Sequence, residues 1–248
     1  MNPQRDHILR ELGIGPQWRL REAAADIPAE APAASAEAPQ APAARRVAPI
    51  AEAPVVMSGS PVDASSMDWS ALATAVAECR ACGLCNARKQ AVLGVGDQQA
   101  DWLFVGEGPG AEEDERGEPF VGQAGKLLDA MLAAIDLKRG ENVYIANSVK
   151  CRPPNNRTPE PAETAACWPY LERQIALLQP KLIVALGRPA ATTSGRQEVK
   201  IGAARGQRFD YQGIPLIVTY HPAYLLRNLH DKGKAWEDLC FARKTIAQ

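Results

Sequence analysis

Four short apolar runs decide what this chain can fold into: "DWLFVG" (101–106), "NVYIAN" (142–147), "KLIVALG" (181–187) and "PLIVTY" (215–220). Each is nearly continuous rather than alternating, as strands buried on both faces are. Helical patterns over Gln123–Ile135, Pro161–Leu178, Arg188–Ser194 and Lys234–Ile246 accompany them. Buried strands alternating with helices imply a three-layer α/β/α domain around a central, mainly parallel, four-stranded sheet. In such open sheets ligands bind beyond the carboxyl ends of the strands. The polar signals collect there: "GEGPG" follows the first run, Asn147 closes the second, and His221-Pro222 follows the fourth.

A glycine-rich turn after a strand usually holds phosphate, but Glu112, Glu113, Asp114 and Glu115 follow directly. Gly106-x-Gly108-x-x-Ala111 matches the dinucleotide fingerprint only formally, with Pro109 in the turn and carboxylates at the helix start. A Walker loop fails as well, because Leu127 follows Gly125-Lys126 where Ser or Thr is required. A neutral, hydrogen-bonding ligand fits better. Glycines at 106, 108 and 110 let backbone N–H groups approach it, Phe120 offers a stacking face, and Asn147 offers a donor and an acceptor. His221 can stabilise negative charge developing on a carbonyl. Taken singly, Phe120 reads as core, Asn147 as a turn cap and His221 as a satisfied loop histidine. Their shared position at one sheet edge favours a site.

The rest of the chain divides by composition. Residues 1–22 are charged, with one short helical pattern, and residues 23–66 are dominated by Ala, Pro and Glu and read as a disordered linker. Residues 67–248 form the globular part. No apolar run approaches the roughly 20 residues of a membrane span, and no signal-peptide core is present, so a cytoplasmic protein is expected. The net charge of −1 conceals an imbalance: residues 142–248 carry 15 Lys/Arg against 8 Asp/Glu. A basic half of this kind suits a polyanion.

Six cysteines in a cytoplasmic chain suggest metal before disulfides. Cys79-x2-Cys82 precedes the first strand, and Cys151 and Cys167 follow the second. Two near thiolates and two distant ones can enclose one centre, but spacing does not separate zinc from an iron–sulfur cluster. Cys85 repeats the x2 spacing and leaves the register open; Cys240 falls on the last helix pattern and reads as core.

"GEGPGAEEDERGEPFVGQAGKLLDAML", "VYIANSVKCRPPNNRTP" and "HPAYLLRN", in this order, resemble the motifs of the family 4 uracil-DNA glycosylases, the iron–sulfur group. The resemblance implies a uracil-DNA glycosylase-like fold and hydrolysis of the N-glycosidic bond of a uracil flipped out of DNA. On this view Gly106, Glu107, Gly108 and Gly110 shape the pocket, Phe120 stacks on the base and Asn147 reads its edge. Glu113 stands where the family carries a functional carboxylate, and His221 stabilises the departing base. "YLLRN" (224–228) resembles a loop that wedges into the duplex, with Leu226 as plug and Arg227 near phosphate. Gly108 replaces the water-activating aspartate of the best-known uracil glycosylases, and which carboxylate assists the water stays open. The resemblance also favours one structural [4Fe–4S] cluster on Cys79, Cys82, Cys151 and Cys167. The cluster would pin the segment between the last two, whose Arg152 and Arg157 read either as phosphate contacts or as a solvated loop. A monomer acting on uracil-containing DNA is expected; a non-catalytic polymerase accessory protein of the same fold is the alternative.

The first 22 residues lie outside that resemblance. Ile8, Leu9 and Leu12 share a helical face, with Trp18 beyond Gly13. Their order resembles the N-terminal peptide of the DNA polymerase III ψ subunit, which implies a clamp-loader partner for residues 1–22.

Overall fold

The computed structural model describes residues 62–187 and 200–247. The N-terminal peptide, most of the linker and the helix expected over Arg188–Ser194 lie outside the described residues. In chain order the described elements are α1 (Trp69–Glu78), β1 (Val95–Gly96), β2 (Trp102–Gly106), α2 (Ala111–Arg116), α3 (Gln123–Ala133), β3 (Val143–Asn147) and α4 (Pro161–Leu178). They continue as β4 (Leu182–Leu186), α5 (Ile201–Ala204), β5 (Arg208–Tyr211), β6 (Ile214–Thr219), α6 (Pro222–Arg227) and α7 (Lys232–Ile246).

The sheet runs β1-β3-β2-β4-β6-β5. The four apolar runs are its centre and are mutually parallel, with Trp102 beside Val143 and Leu182, and Ile183 beside Leu216. The expected four strands are therefore flanked by two more, both antiparallel. β1 has only two residues, too few to show a period. β5, "RFDY", alternates as an edge strand with one covered face does: Arg208 and Asp210 are exposed, while Phe209 and Tyr211 pack against the core. It joins β6 through Gln212-Gly213, both at positive φ (51° and 88°), the backbone that a tight hairpin requires.

Alternation along the central strands builds two layers of core. Trp102, Phe104, Ile145 and Val184 face α3, α6 and α7, packing with Leu128, Leu132, Leu225 and Leu239. Leu103, Val105, Ala146 and Ile183 face the other way, toward Leu171, Ile175 and Leu178 of α4. Helix α4 starts with Pro161 in its first turn and a capping box between Glu160 and Glu163, and ends at Gln179 in the left-handed region. A third cluster joins α1 to α4 around Leu72, Val76, Leu84 and Tyr170. Ala64, which composition assigns to the linker, is buried in it.

One local expectation is corrected. Tyr224–Arg227 is not a loop but most of α6, because His221 caps that helix and Pro222 enters at its first position. No helix among the described residues is long and apolar enough to cross a membrane.

Candidate active site at the sheet edge

A cavity of about 750 Å³ opens at the carboxyl ends of β2, β3 and β6. Gly106, the last residue of β2, is the register partner of Asn147, the last of β3. A side chain at Gly106 would run into the Asn147 amide oxygen and stand 2.6 Å from the Phe120 ring. Glycine is what lets amide and ring reach the same wall. Asn147 is 2% exposed, and its Oδ1 has no hydrogen-bond partner among the described residues. A buried acceptor left unpaired costs about 1–3 kcal/mol, so a group that donates to it would be favoured in this cavity.

The acidic residues that crowd the following loop serve the protein itself. Glu113 Oε2 accepts the Gly110 N–H (3.1 Å), while Oε1 accepts those of Val121 (2.9 Å) and Gly122 (3.2 Å). Buried Asp114 accepts from the Lys89 N–H (2.9 Å), Glu115 pairs with Lys89, and Glu112 lies 3.9 Å from Arg116. These carboxylates fold the loop and offer nothing to a phosphate. The loop delivers Phe120 with φ 55°, 6% exposed, its ring 5.4 Å from that of His221. A bulky residue in the left-handed region costs about 1–3 kcal/mol and persists only where its surroundings fix it.

His221 follows β6 and caps α6, its Nδ1 accepting the Ala223 N–H at 3.1 Å. That hydrogen bond assigns the ring proton to Nε2. Burial first, and the Arg227 charge second, push its pKa down to about 4, against a smaller opposite effect of Glu113. The imidazole is neutral at pH 7, which leaves an Nε2–H able to donate without charge.

Cys79, Cys82, Cys85, Cys151 and Cys167 line a second, small pocket with Lys150 and Tyr170. Among the described residues no three acidic, histidine or cysteine side chains close around one ion position. Burial pushes the Cys151 thiol up to about 11 and the Cys167 thiol up to about 12. Arg88 donates to Cys151 Sγ (2.8 Å), and the Lys150 N–H donates to Cys167 Sγ (3.2 Å). Lys150 is 1% exposed, and its Nζ donates to the Asn147 carbonyl (2.8 Å) and to Gln174 Oε1 (2.5 Å). One buried side chain thus spans from the cysteine pocket to the residue at the cavity wall.

The family model of the uracil DNA glycosylase superfamily matches residues 93–240. A type-4 uracil-DNA glycosylase of Pyrobaculum aerophilum is 44% identical over 183 residues, 70% of this chain and 92% of the relative. Type-4 uracil-DNA glycosylases of Thermotoga maritima (49% over 156 residues; 62% and 80% of the two chains) and Archaeoglobus fulgidus (45% over 159; 61% and 79%) are similar to it as well. The chain belongs to the type-4 uracil-DNA glycosylases.

Within this family member the structure brings Glu107, Gly108, Gly110, Glu113, Phe120, Asn147, His221 and Arg227 to one cavity, with Gly106 directly behind the wall. Leu226 stands apart, 41% exposed on α6 and outside the cavity lining. Arg157 lines the cavity but is held by Glu163 through two hydrogen bonds (2.7 and 2.8 Å), and Arg152 donates to Asn156. Sequence reasoning missed Lys150, Arg88 and Arg139. A lysine between a buried strand and a cysteine was the one visible signal, since Lys150 has no solvent to reach.

Proposed function

We infer that this chain excises uracil from DNA, hydrolysing the N-glycosidic bond of a base flipped into the cavity. The unpaired, buried Oδ1 of Asn147 carries this reading. Uracil presents an N–H and a carbonyl on its Watson–Crick edge, so Oδ1 accepts the one and the amide nitrogen donates to the other. Cytosine presents an acceptor and an amine in those places and mismatches both. Phe120 supplies the stacking face, and Gly106, Gly108 and Gly110 admit the base close to the backbone. As the bond breaks, negative charge gathers on the uracil carbonyl, and the neutral His221 Nε2–H donates to it. With Gly108 where the best-known uracil glycosylases carry aspartate, leaving-group stabilisation has the larger share of the work. Glu113 acts through the loop it braces, its two oxygens already taken by three backbone N–H groups.

The chemistry of Cys79, Cys82, Cys151 and Cys167 fits a [4Fe–4S] cluster, which the likeness to the type-4 enzymes favours over zinc. These cysteines share one pocket, and four thiolates gathered there would hold such a cluster. A [4Fe–4S] cluster there is structural. It fastens the segment 151–167, which presents Pro153, Asn156 and Arg157 to the cavity. The protein works as a cytoplasmic monomer on nucleoid DNA, with 67–248 as its catalytic domain and Ala64 packed against it. Residues 1–22, tethered by the linker 23–66, recruit it to the clamp loader; a synthetic 1–22 peptide that shows no affinity for the clamp loader removes that part.

Incubation with oligonucleotides carrying one uracil, cytosine or thymine tests the activity. Alkali-labile sites should appear at uracil only. Binding without cleavage of the uracil strand would favour a non-catalytic accessory protein.

A further inference from the structure

The segment that carries Phe120 is gripped from two sides, and only one grip comes from the cavity. On the cavity side Glu113 takes the N–H groups of Val121 and Gly122. On the far side stands Arg139, in the turn after α3, its side chain 23% exposed. Its Nη1 donates to the Pro119 carbonyl (2.9 Å), its Nη2 to the Phe120 carbonyl (2.8 Å), and its Nε to Asp129 Oδ1 (2.9 Å).

Those two carbonyls belong to the peptide planes before and after the Phe120 Cα. The φ and ψ of Phe120 are the rotations between these planes, so fixing both planes fixes both angles. A guanidinium carries its donors in one rigid plane, and a carboxylate on Nε leaves it a single orientation. The second plane is held at its other end too, because Glu113 takes its Val121 N–H. The first turn of α3 closes against the same unit: a side chain at Gly125 would run into the Phe120 carbonyl. Phe120 needs such support, having φ 55° without being glycine.

We propose that Arg139 is a positioning residue for base excision: by holding the peptide planes on both sides of Phe120 it sets the tilt of the ring that meets the flipped base. This rests on the reading that Phe120 stacks on uracil. Lysine cannot replace it, since an ammonium is a point charge and does not span two carbonyls and a carboxylate in one plane.

The test is a double-mutant cycle on the full chain, read as single-turnover excision from a uracil-containing oligonucleotide with enzyme in excess. Arg139→Gln should slow excision about 10-fold, and Arg139→Lys nearly as much, with the Kd for DNA changed less than about 2-fold. In a Phe120→Ala background the Arg139→Gln substitution should cost less than about 2-fold, since no ring is left to aim. A native rate in Arg139→Gln overturns the proposal, as does an equal loss in both backgrounds, the mark of general loosening. Should Arg139→Gln fail to fold, Asp129→Asn makes the same comparison: a loss of about 3-fold that vanishes with Phe120→Ala supports the role, and one that persists refutes it. A wild-type chain that releases no uracil defeats both this inference and the function beneath it. An active wild type indifferent to Arg139 defeats this inference alone.

Discussion

Lowering the pH from 7 to 4.5 protonates an ordinary imidazole but should leave His221 neutral. The depression from 6.5 to about 4 has burial as its main cause, then the Arg227 charge. A displacement of that size means that protonation in the folded state is disfavoured by about 3 kcal/mol relative to a free imidazole. The protonated ring would also lose the Nδ1 acceptor that takes the Ala223 N–H. The sign of the linkage follows. Above pH 6.5 the ring is neutral in folded and unfolded chains, and its contribution to stability is fully present. Between about 6.5 and 4 the unfolded chain binds the proton that the folded chain refuses, so this stability drains away as the pH falls and is gone below about 4. Nitrogen NMR of 15N-histidine-labelled protein reads both features, with His221→Gln assigning the signal among three histidines. The expected result is an Nε2–H tautomer titrating near 4. In urea unfolding, the gap between wild type and His221→Gln should narrow by up to about 3 kcal/mol from pH 7 to 4. A midpoint near 6.5, or a proton on Nδ1, would refute the neutral-donor argument.

Removing the side chain with His221→Ala should lower single-turnover excision by about 10²–10³-fold with little change in DNA affinity; lost binding with normal excision at saturation would make it a docking residue. Gly106→Ala should keep the fold and lose at least about 10-fold in excision, because the new methyl meets the Asn147 amide and the Phe120 ring. Unchanged kinetics there would separate Gly106 from the wall. Serine at Cys79, Cys82, Cys151 or Cys167 should each abolish the iron content and brown colour of anaerobically purified protein, while Cys85→Ser and Cys240→Ser should retain them. One zinc per chain and no iron would contradict the cluster.

The central sheet was legible because each inner strand is an unbroken apolar run, and a strand covered on both faces has no polar side to show. Its rims were not: Val95–Gly96 is too short for any period, and Arg208–Tyr211 offers only two apolar residues, alternating with exposed Arg208 and Asp210. Asn147 and His221 stood out because strand ends gather in one place whatever lies between them in sequence. Residues 224–228 resemble a wedge loop in sequence, and α6 shows only in the fold, because six residues make less than two turns of periodicity. Arg139 and Lys150 could not be found this way. Their meaning lies in which carbonyls they reach, those of Pro119, Phe120 and Asn147, and only the folded backbone brings those within range. The acidic loop was the clearest case: its charges argue against phosphate in the sequence alone, but that Glu113 would spend both oxygens on backbone N–H groups was visible only in three dimensions.

The central claim is that the Asn147 side-chain amide, accepting through its oxygen and donating through its nitrogen, reads the uracil edge, and single-turnover excision by Asn147→Asp tests it most directly. An ionised carboxylate keeps the acceptor but loses the donor to the uracil carbonyl. Uracil excision should fall by about 10- to 100-fold, corresponding to roughly 1–3 kcal/mol of lost recognition, with the fold and DNA binding intact. Excision of uracil by Asn147→Asp at the wild-type rate would contradict it.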